Sequence, residues 1–429
     1  MKVIRLEDLK IKDYQRIIKR SSGSNFIIRA QVEKIMEKVR KNGDQAILGK
    51  YQARYGKDSY RTIAVSKSEV REAYQTVSND VIKSLRQMIK NITIVHSIQL
   101  KKNIDKKVVP ETGIEVWREW RAIEKIGLYI PGGKAIYQSS VLMSAIPAQI
   151  AGCREIVMCS PPNNIGKIPA ATLVATDMIG IEKIFKVGGA EAIAAMTYGT
   201  ESIPSVYKIF GAGNSFVTMA KILAMEKVAI DMPAGPSEIF IIADETANPS
   251  FIAADLLADG EHGDDSACVL ITTSERIAEE TNREIERQLE RLFTNGRASK
   301  AIKQYGLIAI VKNLFEAVNF INEYAPEHLE IMVKSPKKIV SKIQNAGSVF
   351  LGNYTTKSSG DYATGANHVL PTGGMAKMYP PLGVESYGKW MQVQKCTKEG
   401  LGKIRQTIET IAETEMLPGH KESTSIRFE

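Results

Sequence analysis

Apolar positions change their rhythm along this chain of 429 residues. Up to about residue 110 they recur at helical spacing. Over 29–40 they alternate with charged residues so that one face is apolar, and Asn42-Gly43-Asp44 ends that helix and starts the next. The pattern returns over 81–96. From Ala122 the texture shifts to short apolar runs alternating with helices of small residues. The runs 125–130, 155–159, 183–187 and 228–231 read as strands. The turn Pro131-Gly132-Gly133 follows the first of them. Helices are predicted over 141–151, 170–179 and 190–196, and another follows Gly211-Ala212-Gly213-Asn214. After Pro233-Ala234-Gly235-Pro236-Ser237 the alternation resumes, with strands at 239–242, 268–272, 307–311, 329–333 and 348–351 and a long helix over 274–293. A helix over 400–415 and a short tail close the chain. Strand–helix alternation of this kind predicts parallel sheets covered on both faces, in two α/β units that meet near Pro236.

Composition narrows the class. With 44% hydrophobic and 24% charged residues, the chain is of ordinary globular type and long enough for several domains. The net charge of +9 raises nucleic acid as a partner. Its basic residues are spread out and interleaved with acids, as in Glu279-Glu280-Thr281-Asn282-Arg283-Glu284, and pairs such as Lys101-Lys102 and Lys337-Lys338 read as solvated surface. No nucleic-acid role is expected. No run of eighteen apolar residues exists and Met1 to Asp8 has no signal-peptide core, so neither a membrane span nor secretion is expected. Cys153, Cys159, Cys268 and Cys396 form no CxxC pair and read as reduced thiols of a cytoplasmic protein.

Candidate chemistry gathers in a few places. The stretch from Asp255 to Ser266 crowds five carboxylates and His262 behind an apolar run, and Asn248-Pro249 before the run reads as a helix start. Asp259 and His262, three apart, share a helix face. They could grip a divalent metal or form a solvated acidic helix end. Of five histidines, His96 sits in an apolar helix and reads as structural. His262, His328, His368 and His420 lie in polar, loop-like settings, which points to a shared site. Glycine-rich loops after strands are where α/β enzymes place reactive groups. Gly188-Gly189 and Gly211-Ala212-Gly213-Asn214 sit between a strand and a helix. There they either present amides to phosphate or form tight turns.

Seven ordered motifs together resemble the histidinol dehydrogenase family: Gly127-Leu128-Tyr129-Ile130-Pro131-Gly132-Gly133, Ser139-Ser140-Val141-Leu142-Met143, Gly199-Thr200-Glu201-Ser202-Ile203-Pro204, Ala234-Gly235-Pro236-Ser237-Glu238, Glu261-His262-Gly263, Pro326-Glu327-His328-Leu329 and Asn367-His368-Val369-Leu370-Pro371-Thr372. The resemblance runs from about residue 30 to the C-terminus. It implies two Rossmann-like parallel-sheet domains with a helical N-terminal segment (1–28) and a small C-terminal tail domain (386–429). The first α/β domain would be 29–121 plus 239–385, and the second 122–238. It implies an NAD-dependent, zinc-containing oxidation of L-histidinol to L-histidine through the aldehyde. Glu327 and His328 would be the catalytic acid–base pair. Asp259, His262, Asp361 and His420 would hold Zn2+. The zinc ligands, Ser237, His328, His368 and Glu415 would line the substrate pocket, and Tyr129, Glu191 and Asn214 would contact NAD. The resemblance further implies a homodimer whose tails cross, so that His420 completes the partner's site. The chemistry suits these residue types, because alcohol oxidation needs a base near neutral pKa and aldehyde hydration an activated water.

The chain departs from the family's usual residues at four positions. Asp259 and Glu191 replace glutamines, Ala212 replaces a proline, and Lys357 stands where a glutamate near the substrate is usual. An ammonium there would disfavour a cationic amino alcohol and could favour an anionic one, while Glu415 still offers a partner to an amine. Two other functions therefore stand beside the leading one: a paralogue oxidising another small polar or anionic primary alcohol, such as a sulfonated diol, and a metal-binding or regulatory homologue with weak catalysis.

Overall fold

The computed structural model of the chain describes residues 1–20, 26–57, 60–99, 105–132, 136–292 and 295–429. The turn at Gly133, the pair Lys101-Lys102 and the expected helix end at Phe293 lie outside them.

Two parallel sheets form the body. The first contains Glu238–Ala243, Ala267–Thr272, Gly306–Ile310, His328–Met332 and Ser348–Leu351. Counted in chain order, these lie third–second–first–fourth–fifth across the sheet, and Lys2–Arg5 adds an edge strand beside Gly306–Ile310. The second sheet, made of Lys125–Tyr129, Glu155–Cys159, Lys183–Phe185, Lys208–Phe210 and Ala229–Ile230, repeats the same order. This is the doubly wound, Rossmann-like arrangement. Its cause lies in the strands: every residue of Glu238–Ala243 and of His328–Met332 is buried, so each face needs a helical cover. One face of the first sheet packs Phe240, Ile242 and Val269 against Phe320 and Ile321. The other packs Ile239, Ile241 and Leu270 against Ile252, Leu256 and Ile277.

The helices Phe26–Tyr55, Lys67–Thr76 and Asn79–Ser97 do not join the first sheet, as the expected domain 29–121 plus 239–385 would have them. Val32, Met36, Val39 and Ile47 of the kinked helix Phe26–Tyr55 share a core with Ile193, Val217 and Ile209 of the second unit. Leu85, Met88 and Ile92 of Asn79–Ser97 share one with Leu128, Leu142 and Ile146. Their apolar stripes cover the two faces of the second sheet, which its own short helices leave incomplete. The first residues also differ from a purely helical segment: Lys2–Arg5 is a strand, and Tyr14, Ile17 and Ile18 of the helix Ile11–Lys19 pack on the first sheet.

A small antiparallel sheet was not legible in the sequence. Ile114–Ala122 pairs along its whole length with Gly388–Cys396, and with Val108–Glu111 on its other side. It ties the last part of the chain, with the packed helices Lys398–Thr414 and Pro418–Ser425, to the entry of the second unit. Among the described residues no helix is long and apolar enough to cross a membrane.

Candidate active site

In the first sheet the chain reverses its winding between Glu238–Ala243 and His328–Met332, which pair as neighbours. The reactive groups stand at the amino ends of these two strands. Ser237 and Glu327 immediately precede the strands, and His328 opens one. At the carboxyl ends the crevice is closed by Asp244, whose carboxylate accepts from the amides of Thr246 and Lys334 at 2.9 and 2.8 Å.

Glu327 is clamped by the neighbouring strand. Its Oε2 accepts from the Glu238 amide at 2.8 Å and lies 3.2 Å from the Ser237 hydroxyl. His328 Nδ1 lies 3.0 Å from the Glu238 carbonyl oxygen and 3.5 Å from Glu327 Oε2. A carbonyl can only accept, so Nδ1 carries the proton and Nε2 is left with its lone pair. That Nε2 is buried, has no hydrogen-bond partner among the described residues, and stands 3.9 Å from Asp361 Oδ1. Burial alone would lower the imidazole's pKa. Glu327, helped by Asp259, reverses the sign and raises it.

Asp259 lies on the helix Pro249–Gly260, which begins at Asn248 with Pro249 in its first turn, as the sequence indicates. The helix puts Asp255 and Asp259 in the interior and leaves Asp265 in solvent. His262 Nδ1 faces the carbonyls of Ala258 and Asp259 at 3.2 and 3.3 Å, so its Nε2 also keeps a lone pair. Asp361 comes from the short helix Lys357–Tyr362, and His368 Nδ1 donates to the Asp361 carbonyl at 3.0 Å. Ser237, Asp259, His262, Glu327, His328, Asp361 and His368 are thus brought together.

At the centre of this group is a side chain that the sequence reading placed only near the pocket. Lys357 Nζ lies 3.0 Å from Asp259 Oδ1, 2.9 Å from Asp361 Oδ2 and 3.5 Å from His262 Nε2. Both Lys357 and Asp259 are almost fully buried, at 1% and 0% exposure. Burial opposes the charge on Lys357, but Asp259 and Asp361 outweigh it and raise its pKa. Reciprocally, burial pushes both carboxyls up, and Lys357 more than compensates, holding both below their ordinary values. Beneath them Glu330 Oε1 accepts from the Lys357 amide at 2.7 Å. Burial and the neighbouring Asp255 push the Glu330 carboxyl well up, so this pair favours holding a proton. The sequence marks Lys357 as a departure from the family near the substrate, and its i,i+4 spacing to Asp361 is a local signal for their pairing. Nothing local signalled Glu330, or the buried pair of Arg20 and Glu238 at 2.9 Å.

The three residues expected at NAD lie elsewhere, at the carboxyl edge of the second sheet. Tyr129 ends its first strand, and Gly211 to Asn214 follow its fourth, the strand paired beside it. This is the switch point where doubly wound sheets take dinucleotides. The two loops touch closely enough that any side chain at Gly211 would collide with the Tyr129 carbonyl. Glycine-loop amides are already engaged: Gly188 donates to the Tyr51 hydroxyl at 2.8 Å, Gly189 to the Tyr129 hydroxyl at 3.2 Å and Gly211 to Asp231 at 2.8 Å. The tight-turn reading therefore accounts for them. Glu191 pairs with Lys50 at 2.7 Å, and Asn214 caps the helix Ser215–Ala224, its side-chain Oδ1 accepting from the Phe216 and Val217 amides. The helix Gln138–Ala151 joins the two regions, because Ser140 Oγ meets His368 Nε2 at 3.2 Å. The first turn of the helix that follows Tyr129 therefore touches the acid–base cluster.

Glu415 and His420 are not brought in. Both are exposed on the C-terminal helices, and among the described residues no hydrogen bond or ion pair ties either side chain to the cluster. His96 is structural, with Nδ1 2.9 Å from the Ile92 carbonyl and Nε2 3.4 Å from Asn367 Nδ2.

Two doubly wound sheets, the first carrying a buried Glu–His pair at the amino ends of its strands, define an α/β protein of the Rossmann-like class with a buried polar site. The sequence profile of histidinol dehydrogenase matches residues 18–428. A histidinol dehydrogenase from Bacteroides fragilis is 45% identical over 100% of this chain and 99% of its own length, and one from Methanocaldococcus jannaschii is 42% identical over 100% and 99%. The crystal structure of histidinol dehydrogenase from Elizabethkingia anophelis is 41% identical and superposes with a TM-score of 0.93 over 100% of this chain and 98% of that one. The chain belongs to the histidinol dehydrogenase family and is an oxidoreductase.

Proposed function

We propose that this protein oxidises L-histidinol through the aldehyde to L-histidine, the closing steps of histidine biosynthesis, reducing two NAD per substrate. The observation that carries the reading is the orientation of His328: its Nδ1–H is anchored on the Glu238 carbonyl, and its unpaired Nε2 faces the cluster. A hydroxyl placed there loses its proton to Nε2 as hydride leaves the carbinol carbon. The aldehyde then adds water, for which Glu327 Oε2 is the base, and the hydrate gives up a second hydride and proton. NAD supplies the hydride acceptor, and Tyr129, Glu191 and Asn214 stand at the switch point to hold it. Burial of the cluster keeps the aldehyde from solvent between the steps.

The charge balance supports a cationic substrate. Lys357 is neutralised from within, so three carboxylates, Asp259, Asp361 and Glu327, face one ammonium. An anionic diol would meet net negative charge. This favours the amino alcohol over the paralogue reading, although Lys357 in the sequence pointed the other way.

Zinc does not fit the side chains as they stand. Asp259, His262 and Asp361 converge on Lys357 Nζ at hydrogen-bond lengths, whereas zinc takes its oxygen and nitrogen ligands at about 2.0–2.2 Å. No step above uses it. The exposed Glu415 and His420 suit a homodimer whose tails cross to line the partner's pocket, and four free cysteines suit the cytoplasm.

The test incubates the purified full chain with NAD and either L-histidinol or a panel of anionic diols, and follows NADH. Two NADH per histidinol are expected. NADH from an anionic diol alone would overturn the reading.

A further inference from the structure

We infer that the Lys357 ammonium takes the place of a divalent metal ion, so that this enzyme works with a cation built into its own chain. The inference deepens the proposed function by naming what organises its site.

Three features of the cluster carry it. First, the donor set is one that would suit a metal: two carboxylates and an imidazole, converging from the helices Pro249–Gly260 and Lys357–Tyr362 and from the turn between them and the next strand. Its centre is Nζ. Second, the ammonium is saturated. It has three N–H donors and three acceptors: Asp259 Oδ1 at 3.0 Å, Asp361 Oδ2 at 2.9 Å and His262 Nε2 at 3.5 Å. The His262 nitrogen that a metal would need is the one turned toward Nζ, because Nδ1 is engaged with backbone carbonyls. Third, the ammonium offsets charge. Two buried carboxylates within about 3 Å of each side of one point would repel strongly without a cation between them. The stem of Lys357 is fixed by the Glu330 hydrogen bond to its own amide, so the ammonium is delivered to that point by a rigid backbone. The two departures Asp259 and Lys357 are thus one change: the residues meet, and the added negative charge faces the added positive one.

The ammonium cannot do all that a metal does. It holds Asp259 and Asp361 in place but has no empty coordination position for a substrate nitrogen. Substrate recognition then falls to the outward oxygens: Asp361 Oδ1, which is 3.9 Å from His328 Nε2, and Asp259 Oδ2, which is buried without a partner.

Metal content tests this directly. Full-length protein is equilibrated with excess Zn2+, passed through gel filtration and assayed by inductively coupled plasma mass spectrometry, and a parallel sample is titrated with Co2+ and read by visible absorption. The expected result is no stoichiometric zinc, no cobalt bands and NADH formation undiminished by a chelator. Lys357→Gln removes the ammonium and frees the three donors, and should bind about one Co2+ per chain with visible bands. About one tightly held zinc per wild-type chain would overturn the inference, as would a folded Lys357→Gln protein that takes no metal. If that variant does not fold, the wild-type metal count decides alone. The count does not depend on which alcohol is oxidised, so failure here and failure of the histidinol assay are seen separately.

Discussion

His328 Nδ1 stands 3.0 Å from the carbonyl oxygen of Glu238, a bond between the first residues of two adjacent strands. The ring is therefore oriented by the sheet itself, and its free nitrogen is fixed to about the precision of a backbone ladder. His328→Gln should lower kcat for alcohol oxidation by about 10²–10⁴-fold, the usual worth of a positioned base. Thermal unfolding should change little. Steady-state NADH formation beside a melting curve checks both, and an unaltered kcat would remove His328 from the chemistry.

Glu327 raises the His328 pKa against the effect of burial. The base works unprotonated, so a raised pKa puts the acid limb of the alcohol-oxidation profile at higher pH. Glu327→Gln can still accept from the Glu238 amide but removes the charge. The limb should move to lower pH, and NADH per histidinol should fall from two toward one as the aldehyde step fails. A profile that stays in place would mean that the two side chains are not coupled.

Burial pushes the Asp255 carboxyl up to about 6, while its hydrogen bond with Glu330 pulls the other way. The folded state therefore binds a proton that the unfolded state releases near pH 4. Its contribution is complete below that value and is lost as pH rises through about 6. Asp255→Asn cannot ionise, so its stability relative to wild type should climb over that window, by roughly 2–3 kcal/mol at most. Urea midpoints at about pH 3.5 and about pH 7, one below and one above the window, give the difference. A constant offset would contradict the assignment.

Arg20 and Glu238 form a buried ion pair, with side chains 8% and 5% exposed. Burial still pushes Glu238 up to about 7, with Arg20 pulling it down and Glu327 pushing it up. In Arg20→Gln the carboxylate would be left unpaired, which costs about 3–5 kcal/mol when it must stay charged. Below its raised pKa Glu238 can protonate instead. The variant should thus be more destabilised at pH 8 than at pH 6, and equal losses in denaturant melts at the two values would argue against the pair.

Periodicity found most strands of both parallel sheets because residues buried on two faces leave unbroken apolar runs, as in Glu238–Ala243, but it did not find Lys2–Arg5 or Lys208–Phe210. It missed Ile114–Ala122 and Gly388–Cys396, whose mixed burial hides the alternation and whose partnership spans most of the chain. Helical faces over 26–97 were equally legible, but not which sheet they cover, since an apolar stripe carries no address.

The sequence by itself determined the family, the alternating strand–helix character of two parallel-sheet units, and most of the residues that meet at the acid–base cluster. Each of these follows from local pattern or ordered motifs. The tertiary structure alone decided the sign of the pocket. Lys357, read along the chain, is a free positive charge beside a substrate. Folded, it is enclosed by Asp259, Asp361 and His262 and has no charge to spare. Electrostatic balance depends on distances of a few ångströms between residues about a hundred positions apart, and the order of residues does not contain those distances.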